Sequence, residues 1–268
     1  MEKIFVTKVS GDFGDQLFII ASSYSYAKRE NVALKILKTK KSSPNYPVYW
    51  ETLLKKIKPY LIEDNKEDSL PFYKEIESFQ SNIYFNNFNN DKDEIKNMFK
   101  PEDFLVDIVR NKYKNLIYQK DRIVVIHSSK KQYEVNPYYN NYSIINLEYY
   151  KKAINEFINK KPNPLFLLCI DDEKLCDQLK SYIEEINNEY NEYNEYNEYN
   201  KYYILKEDEF LSFTLLQEFH NFIMSNCSFI WWCVWLSEYK HVIVPRKWFN
   251  NNLFNNNDLY DDKWIILD

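Results

Sequence analysis

The residues of this 268-residue chain with chemical potential gather at the ends of short apolar runs. Ile123-Val124-Val125-Ile126 is followed by His127, Ser128, Ser129 and Lys130, and Leu165 to Ile170 by Asp171 and Asp172. Phe222-Ile223-Met224 leads into Ser225, Asn226, Cys227 and Ser228, and Val242-Ile243-Val244 into Pro245 and Arg246. Near the start, Ile4 to Val9 runs into Ser10-Gly11-Asp12-Phe13-Gly14-Asp15-Gln16, which holds both glycines of the chain. In open parallel sheets, ligands bind beyond the carboxyl ends of the strands. A cation, carboxylates, hydroxyls and helix starts meeting on one such edge suit a nucleoside diphosphate. Hydroxyls and helix N–H groups take the phosphates, and a carboxylate takes the base or ribose.

Each of these residues also has a plainer reading. Asp171 and Asp172 sit where a helix begins, and Asp is a favoured cap there. They have no companion His or third acid nearby, so a metal pair is set aside. Ser225, Asn226 and Ser228 read equally as caps. Taken alone, His127 reads as a satisfied core histidine, and His220 and His241 as structural residues. The glycine turn either presents N–H groups to an anion or only packs a helix onto its strand.

The elements that must position these groups follow from periodicity. Leu17, Ile20, Ala21, Tyr24 and Ala27 recur at helical spacing after the glycine turn, and Val32 to Leu37 reads as the next strand. From Lys38 to about Gln119, Pro44, Pro47, Pro59, Pro71 and Pro101 break the pattern. Helices are expected there near Trp50 to Ile57, Asp91 to Phe99 and Pro101 to Leu116, with a loop over Asn82 to Asn90. Beyond Gln119 apolar runs alternate with helices. The helices carry Leu147, Tyr150, Ile154, Phe157 and Ile158, then Leu175, Leu179, Tyr182, Ile183 and Ile186, then Phe210 to Phe219 and Ser228 to Leu236. Continuous apolar runs between helices mark a parallel sheet covered on both faces, hence a doubly wound domain. Glu189 to Asn200 repeats Glu-Tyr-Asn and reads as an expansion in a surface loop.

Bulk properties narrow the function classes. A net charge of −5 argues against a nucleic-acid footprint. No apolar run approaches the roughly 20 residues of a membrane span, and no signal-peptide core is seen at the start. Cys169, Cys176, Cys227 and Cys233 form no CxxC pair and read as free thiols in a reducing compartment, so a cytoplasmic location is expected. No Ser-His-Asp order and no P-loop occurs.

Four of these stretches resemble one family. The opening GDFGDQLF is similar to the G-G-x-G-N-Q-x-F start of glycosyltransferase family 11, the α-1,2-fucosyltransferases. IVVIHSSKKQY (Ile123 to Tyr133) stands where that family has a strand and H-x-R-R-G-D-Y, and Cys169-Ile170-Asp171-Asp172 resembles its F-S-D-D element. IMSNCSFIWWCVWL followed by HVIVPRKWF tracks the family's I-x-x-N-S-T-F-S-W-W-x-A-W-L and V-I-x-P-x-x-W-F. The glycine-poor, lysine- and asparagine-rich composition fits an AT-rich genome such as a giant virus, so the location becomes the host cytoplasm if the protein is viral.

The resemblance implies an α/β, B-type glycosyltransferase fold: two Rossmann-like domains facing a cleft, the C-terminal one doubly wound and parallel. Residues 1–119 would form an acceptor-side domain with a helical insertion, and 120–268 the domain binding the nucleotide-sugar donor. It implies inverting transfer of L-fucose from GDP-fucose to a glycan hydroxyl, with no metal or other cofactor. By position, Gly11, Gly14 and Gln16 would line the cleft on the donor side. His127 and Lys130 would do the catalytic work facing the donor, Asp171 or Asp172 would meet the nucleoside, and Asn226 and Ser228 the diphosphate. The family's two arginines fall on Ser129 and Lys130, its glycine on Lys131 and its aspartate on Gln132. Lysine supplies a point charge in place of a rigid bidentate fork. Two alternatives therefore accompany the fucosyl reading: another nucleotide-activated deoxyhexose such as activated rhamnose, or an inactive nucleotide-sugar or glycan-binding relic.

Overall fold

The computed structural model describes residues 3–43, 46–63, 88–129, 142–160, 163–191, 202–250 and 259–268. Lys130, the tail of the Glu-Tyr-Asn repeat and residues 82–87 of the expected loop lie outside these. The chain divides into two compact units, one of Met1–Phe104 with Asn255–Leu259, the other of Leu105–Phe254 with Tyr260–Asp268. The sequence suggested a boundary at 119/120. It falls earlier because the helices before that point are tied into the second unit: Arg110 pairs with Glu218, and Lys112 and Tyr113 both reach Glu207.

In the first unit, β1 (Ile4–Thr7), β2 (Ala33–Lys38) and β5 (Leu61–Glu63) form a parallel sheet in the order β1-β2-β5. The strands β3 (Lys41–Ser43) and β4 (Tyr46–Pro47) pair as an antiparallel ribbon. Helix α1 (Phe13–Arg29) connects β1 to β2 and buries Leu17, Phe18, Ile20 and Ala21. Its N-cap is Asp12, whose carboxylate accepts from the Asp15 N–H at 2.9 Å. The expected helix over Trp50 to Ile57 is absent. A turn occupies its first half and a 3-10 helix, Lys55–Tyr60, follows, with Pro59 inside it. Proline lacks an N–H and cannot continue an α-helix through that point. Helix α2 (Lys92–Phe99) follows later in the unit.

The second unit begins at Leu105, within α3 (Asp103–Lys112), and goes on to α4 (Lys114–Tyr118), two helices where one was expected. Six parallel strands follow, β6 (Ile123–Ser128), β7 (Leu165–Ile170), β8 (Tyr202–Ile204), β9 (Asn221–Ile223), β10 (His241–Pro245) and β11 (Ile265–Leu267), in the order β11-β10-β9-β6-β7-β8. Helices α5 (Leu147–Lys160), α6 (Glu173–Asn191), α7 (Glu209–Leu216) and α8 (Ser228–Leu236) connect them. All four residues from Ile123 to Ile126 are fully buried, so both faces of β6 are covered. One core cluster joins Val124, Ile126, Phe166 and Leu168 of the sheet to Ile154 and Phe157 of α5 and Leu179 and Ile183 of α6. Helix α8 is apolar all round and buried from Ser228 to Trp235. Trp231 lies edge-on to Trp232 at 5.1 Å, stacks with Trp235 and meets Trp264. Among the described residues, no helix is long and apolar enough to cross a membrane.

Candidate functional site

The strand order contains a reversal. From β6 the chain steps outward through β7 and β8, then returns to lay β9 against the other side of β6 and continues to β10 and β11. The crevice at the carboxyl end of such a switch is where open α/β sheets bind ligands. Here the switch lies between His127, near the end of β6, and Met224-Ser225, just past β9.

Two neighbouring tyrosines of α5 hold these strand ends. The Tyr149 hydroxyl donates to the carbonyls of Met224 (2.7 Å) and Ile243 (3.2 Å), and Tyr150 donates to the His127 carbonyl at 3.3 Å. The His127 ring is 7% exposed, with Nδ1 3.0 Å from Ser225 Oγ and the ring stacked on Phe229 at 5.8 Å. Burial pushes its pKa down to about 4, against a weaker upward pull from Asp171. His127 is therefore a neutral imidazole near pH 7, a hydrogen-bonding group rather than a cation.

Beyond Ser225 the chain turns into α8. The N-cap is Cys227, which makes no side-chain capping bond, and Ser228 is the first helical residue. Neither Asn226 nor Ser228 is the cap that the plainer reading offered. Asn226, 2% exposed, spends its amide protons on the carbonyls of Ser143 (2.7 Å) and Trp248 (2.9 Å). The Ser143 N–H also donates to Trp248 O, and Tyr142 and Phe249 form an isolated antiparallel bridge. Asn226 thus fastens two other segments beside the helix start instead of offering its amide to a diphosphate. Ser228 remains at the helix start, where first-turn N–H groups have no intrahelical acceptor.

The two aspartates after β7 separate in role. Asp172 caps α6, its carboxylate accepting from the N–H groups of Lys174 (3.0 Å) and Leu175 (3.3 Å). Asp171 is exposed and accepts from Ser129 Oγ at 3.0 Å, which joins the ends of β6 and β7. Cys169, two residues earlier in β7, has its thiol pKa pushed well up by burial and stays protonated. Arg246 is committed to an ion pair with Asp268 at 2.7 Å. His220 pairs with Asp121, which Lys240 also reaches, and all three precede strands, at the edge opposite the switch.

Gly11, Gly14 and Gln16 belong to the first unit. Gly11 has φ +77° and occupies the turn before α1, but Gly14 lies in the helix itself, in its first turn. Gln16 is fully buried. Its Nε2 donates to Ser42 Oγ (2.9 Å) and to the carbonyl of Pro47 (3.0 Å), while Ser42 donates to Gly11 O at 2.6 Å. Its amide nitrogen pins the β3–β4 ribbon to the glycine turn and is used within its own unit.

Sequence reasoning assigned no site role to Tyr149, Tyr150 or Phe229, and read Ser225 as a strand-end residue or an ordinary cap. Strand-end position was the one available signal for Ser225. The tyrosines gave none, because their acceptors are backbone carbonyls 23 to 94 residues away.

The described geometry is that of an α/β protein with a candidate site at a strand switch. Residues 34–268 match the family Glycosyl transferase family 11, and the chain belongs to that family. It is 25% identical over 162 residues to the O-antigen biosynthesis glycosyltransferase WbnK of Escherichia coli. That stretch is 58% of this chain and 48% of WbnK, so the match spans about half the length of the curated relative. Among solved structures, the fucosyltransferase NodZ from Bradyrhizobium is similar, with a TM-score of 0.50 and 13% identity over 88% of this chain and 93% of NodZ. A mutant of Arabidopsis thaliana FUT1 in complex with GDP gives a TM-score of 0.51 and 10% identity, over 91% of this chain and 70% of that one. These likenesses identify the fold as the B-type glycosyltransferase fold.

Proposed function

We propose that this protein is a glycosyltransferase that moves a deoxyhexose, L-fucose from GDP-fucose, to a hydroxyl of a glycan acceptor, with inversion and without a metal. The observation that carries this reading is the family match over 34–268, which includes every element of the strand-switch site. The named role of WbnK in O-antigen biosynthesis supports a glycan acceptor. The GDP bound to Arabidopsis FUT1 makes GDP the first nucleotide to test.

In this reading the donor's diphosphate sits in the switch crevice of residues 105–254. The acceptor oxygen attacks the anomeric carbon as the bond to the diphosphate breaks on the opposite side, and the acceptor proton passes to a base. Negative charge growing on the leaving phosphate is met by Ser228 and the first-turn N–H groups of α8, with neutral His127 as a hydrogen-bond donor and Lys130 as the cation. Of the two carboxylates, Asp171 is taken for the nucleoside, which the engagement of Asp172 as a cap supports. Asp12 likewise has its carboxylate engaged, as the cap of α1.

A second reading, a nucleotide-sugar-binding relic, is favoured by one contact. Ser129, where the family carries an arginine, is bound to Asp171 and brings no charge to the diphosphate. Nucleotide release from GDP-fucose and a panel of nucleotide deoxysugars, with glycan acceptors present, separates the two. Release that drops at least tenfold in Ser228→Ala and Lys130→Ala supports transfer. Thermal stabilisation by GDP with no release from any donor replaces it with the relic.

A further inference from the structure

We propose that Ser225 is a positioning residue: its hydroxyl donates to Nδ1 of His127 and so fixes the imidazole as the tautomer that carries its proton on Nε2, aimed at an anionic ligand in the switch crevice. The proposal rests on the donor-site reading above for its ligand, but not for the tautomer itself.

The distance between the two atoms, 3.0 Å, permits a hydrogen bond in either direction. The surroundings decide which. Ser225 is 3% exposed, and His127 is the only side chain its hydroxyl meets among the described residues. If Nδ1 carried the proton, the serine hydroxyl would accept, and its own proton would be left buried without an acceptor. That arrangement wastes a buried donor, which is costly. With the serine donating, its proton is used and Nδ1 is satisfied as an acceptor. The imidazole proton then resides on Nε2, which has no hydrogen-bond partner among the described residues. A half-turn of the ring about Cβ–Cγ would bring Cδ2 to face Ser225 Oγ in place of Nδ1 and forfeit the hydrogen bond, so the contact also fixes the ring's orientation. The result is a neutral, preoriented N–H donor at the strand switch. It suits a phosphate oxygen, which only accepts, and it requires no protonation of the ring.

The connection also explains a feature of the chain order. Ser225 and Ser228 flank the same turn, so one short segment would orient the imidazole and present the helix start. A ligand oxygen bridging Nε2 and the α8 N-terminus would then meet donors only.

The test uses the full-length protein labelled with 15N-histidine, with the His127 signals assigned by their loss in His127→Asn. Heteronuclear shifts at pH 7.5 report the tautomer without ligand. Wild type and Ser225→Thr, which keeps the hydroxyl, are expected to show the proton on Nε2, and Ser225→Ala to show a mixture or the Nδ1–H form. GDP titration by calorimetry should give binding about tenfold weaker in Ser225→Ala, restored in Ser225→Thr. An Nδ1–H imidazole in wild type overturns the proposal, and so does a tautomer unchanged in Ser225→Ala. Failure of wild type to bind GDP, with the Nε2–H tautomer present and sensitive to Ser225, overturns the donor-site reading and leaves the positioning role standing.

Discussion

His127 Nδ1 and Ser225 Oγ stand 3.0 Å apart at the strand switch, although 98 residues separate them in the chain. The contact joins the end of β6 to the segment after β9, and those two strands lie side by side only because the chain reverses its direction of growth across the sheet. A buried neutral histidine at that point has a consequence for stability.

The unfolded chain takes up a proton on His127 near the ordinary value of 6.5, whereas the folded ring does so only near 4. Between these values the unfolded state holds more protons, so folding weakens as pH falls from 6.5 and the loss levels off below 4. Its full size is about 3 kcal/mol. Chemical denaturation of wild type and His127→Asn at steps from pH 7.5 to 4 should show a shallower pH dependence in the variant over this window. Parallel curves would remove His127 as the cause.

Gly11 adopts φ +77°, and a Cβ added there would lie 2.5 Å from the Asp15 carboxylate oxygen and 2.7 Å from Asp15 Cβ. Gly11→Ala is therefore expected to destabilise the protein by about 1–3 kcal/mol, seen as a lower urea midpoint with an unchanged slope. Combining it with Asp15→Ala should recover only part of the loss, because the carboxylate contact goes while the Cβ of residue 15, 2.7 Å away, and the positive φ remain.

Asn226→Asp would set a carboxylate against the carbonyl oxygens of Ser143 and Trp248, where the amide now donates. A loss of roughly 3 kcal/mol or more is expected by urea unfolding. Asn226→Ala, which takes the amide donor from both carbonyls but leaves Trp248 O its bond from the Ser143 N–H and adds no charge, should cost less. Equal costs would show that loss of the donors, not repulsion, governs the site.

Asp171 and Asp172 are neighbours with opposite expected phenotypes. Asp172→Ala removes the α6 cap and should cost about 1 kcal/mol of stability while leaving GDP affinity near wild type. Asp171→Ala should leave the melting temperature nearly unchanged and weaken nucleotide binding. A reversal of these two results would move the nucleoside contact to Asp172.

Much of the second unit was legible because its signals are local. The apolar runs Leu165–Ile170 and Ser228–Leu236 became a strand and a helix with the same end residues. Strands β5 and β11, three residues each, passed unread. Trp50 to Ile57 has helical spacing, but Pro59 lies just beyond it and no full helix forms. Among the candidate site residues, the strand ends are nominated by position alone. The roles of Asn226 and Gln16 are not, since amide side chains that grip backbone carbonyls look the same in sequence as amides that meet a ligand. Asn226 acts on Ser143 and Trp248, 83 and 22 residues away, and Gln16 on Pro47, 31 away.

The reversal in strand order also governs when the protein becomes competent. A crevice whose two lips are contributed by β6 and β9 cannot exist in a nascent chain that has made only β6, β7 and β8, however well those three have paired. The long loop between the lips must close before either gains its partner, and closing it costs entropy that only the finished sheet returns. On the proposed function, GDP binding would thus be an assay of completed assembly: a truncated or misregistered sheet would retain secondary structure and fail to bind it.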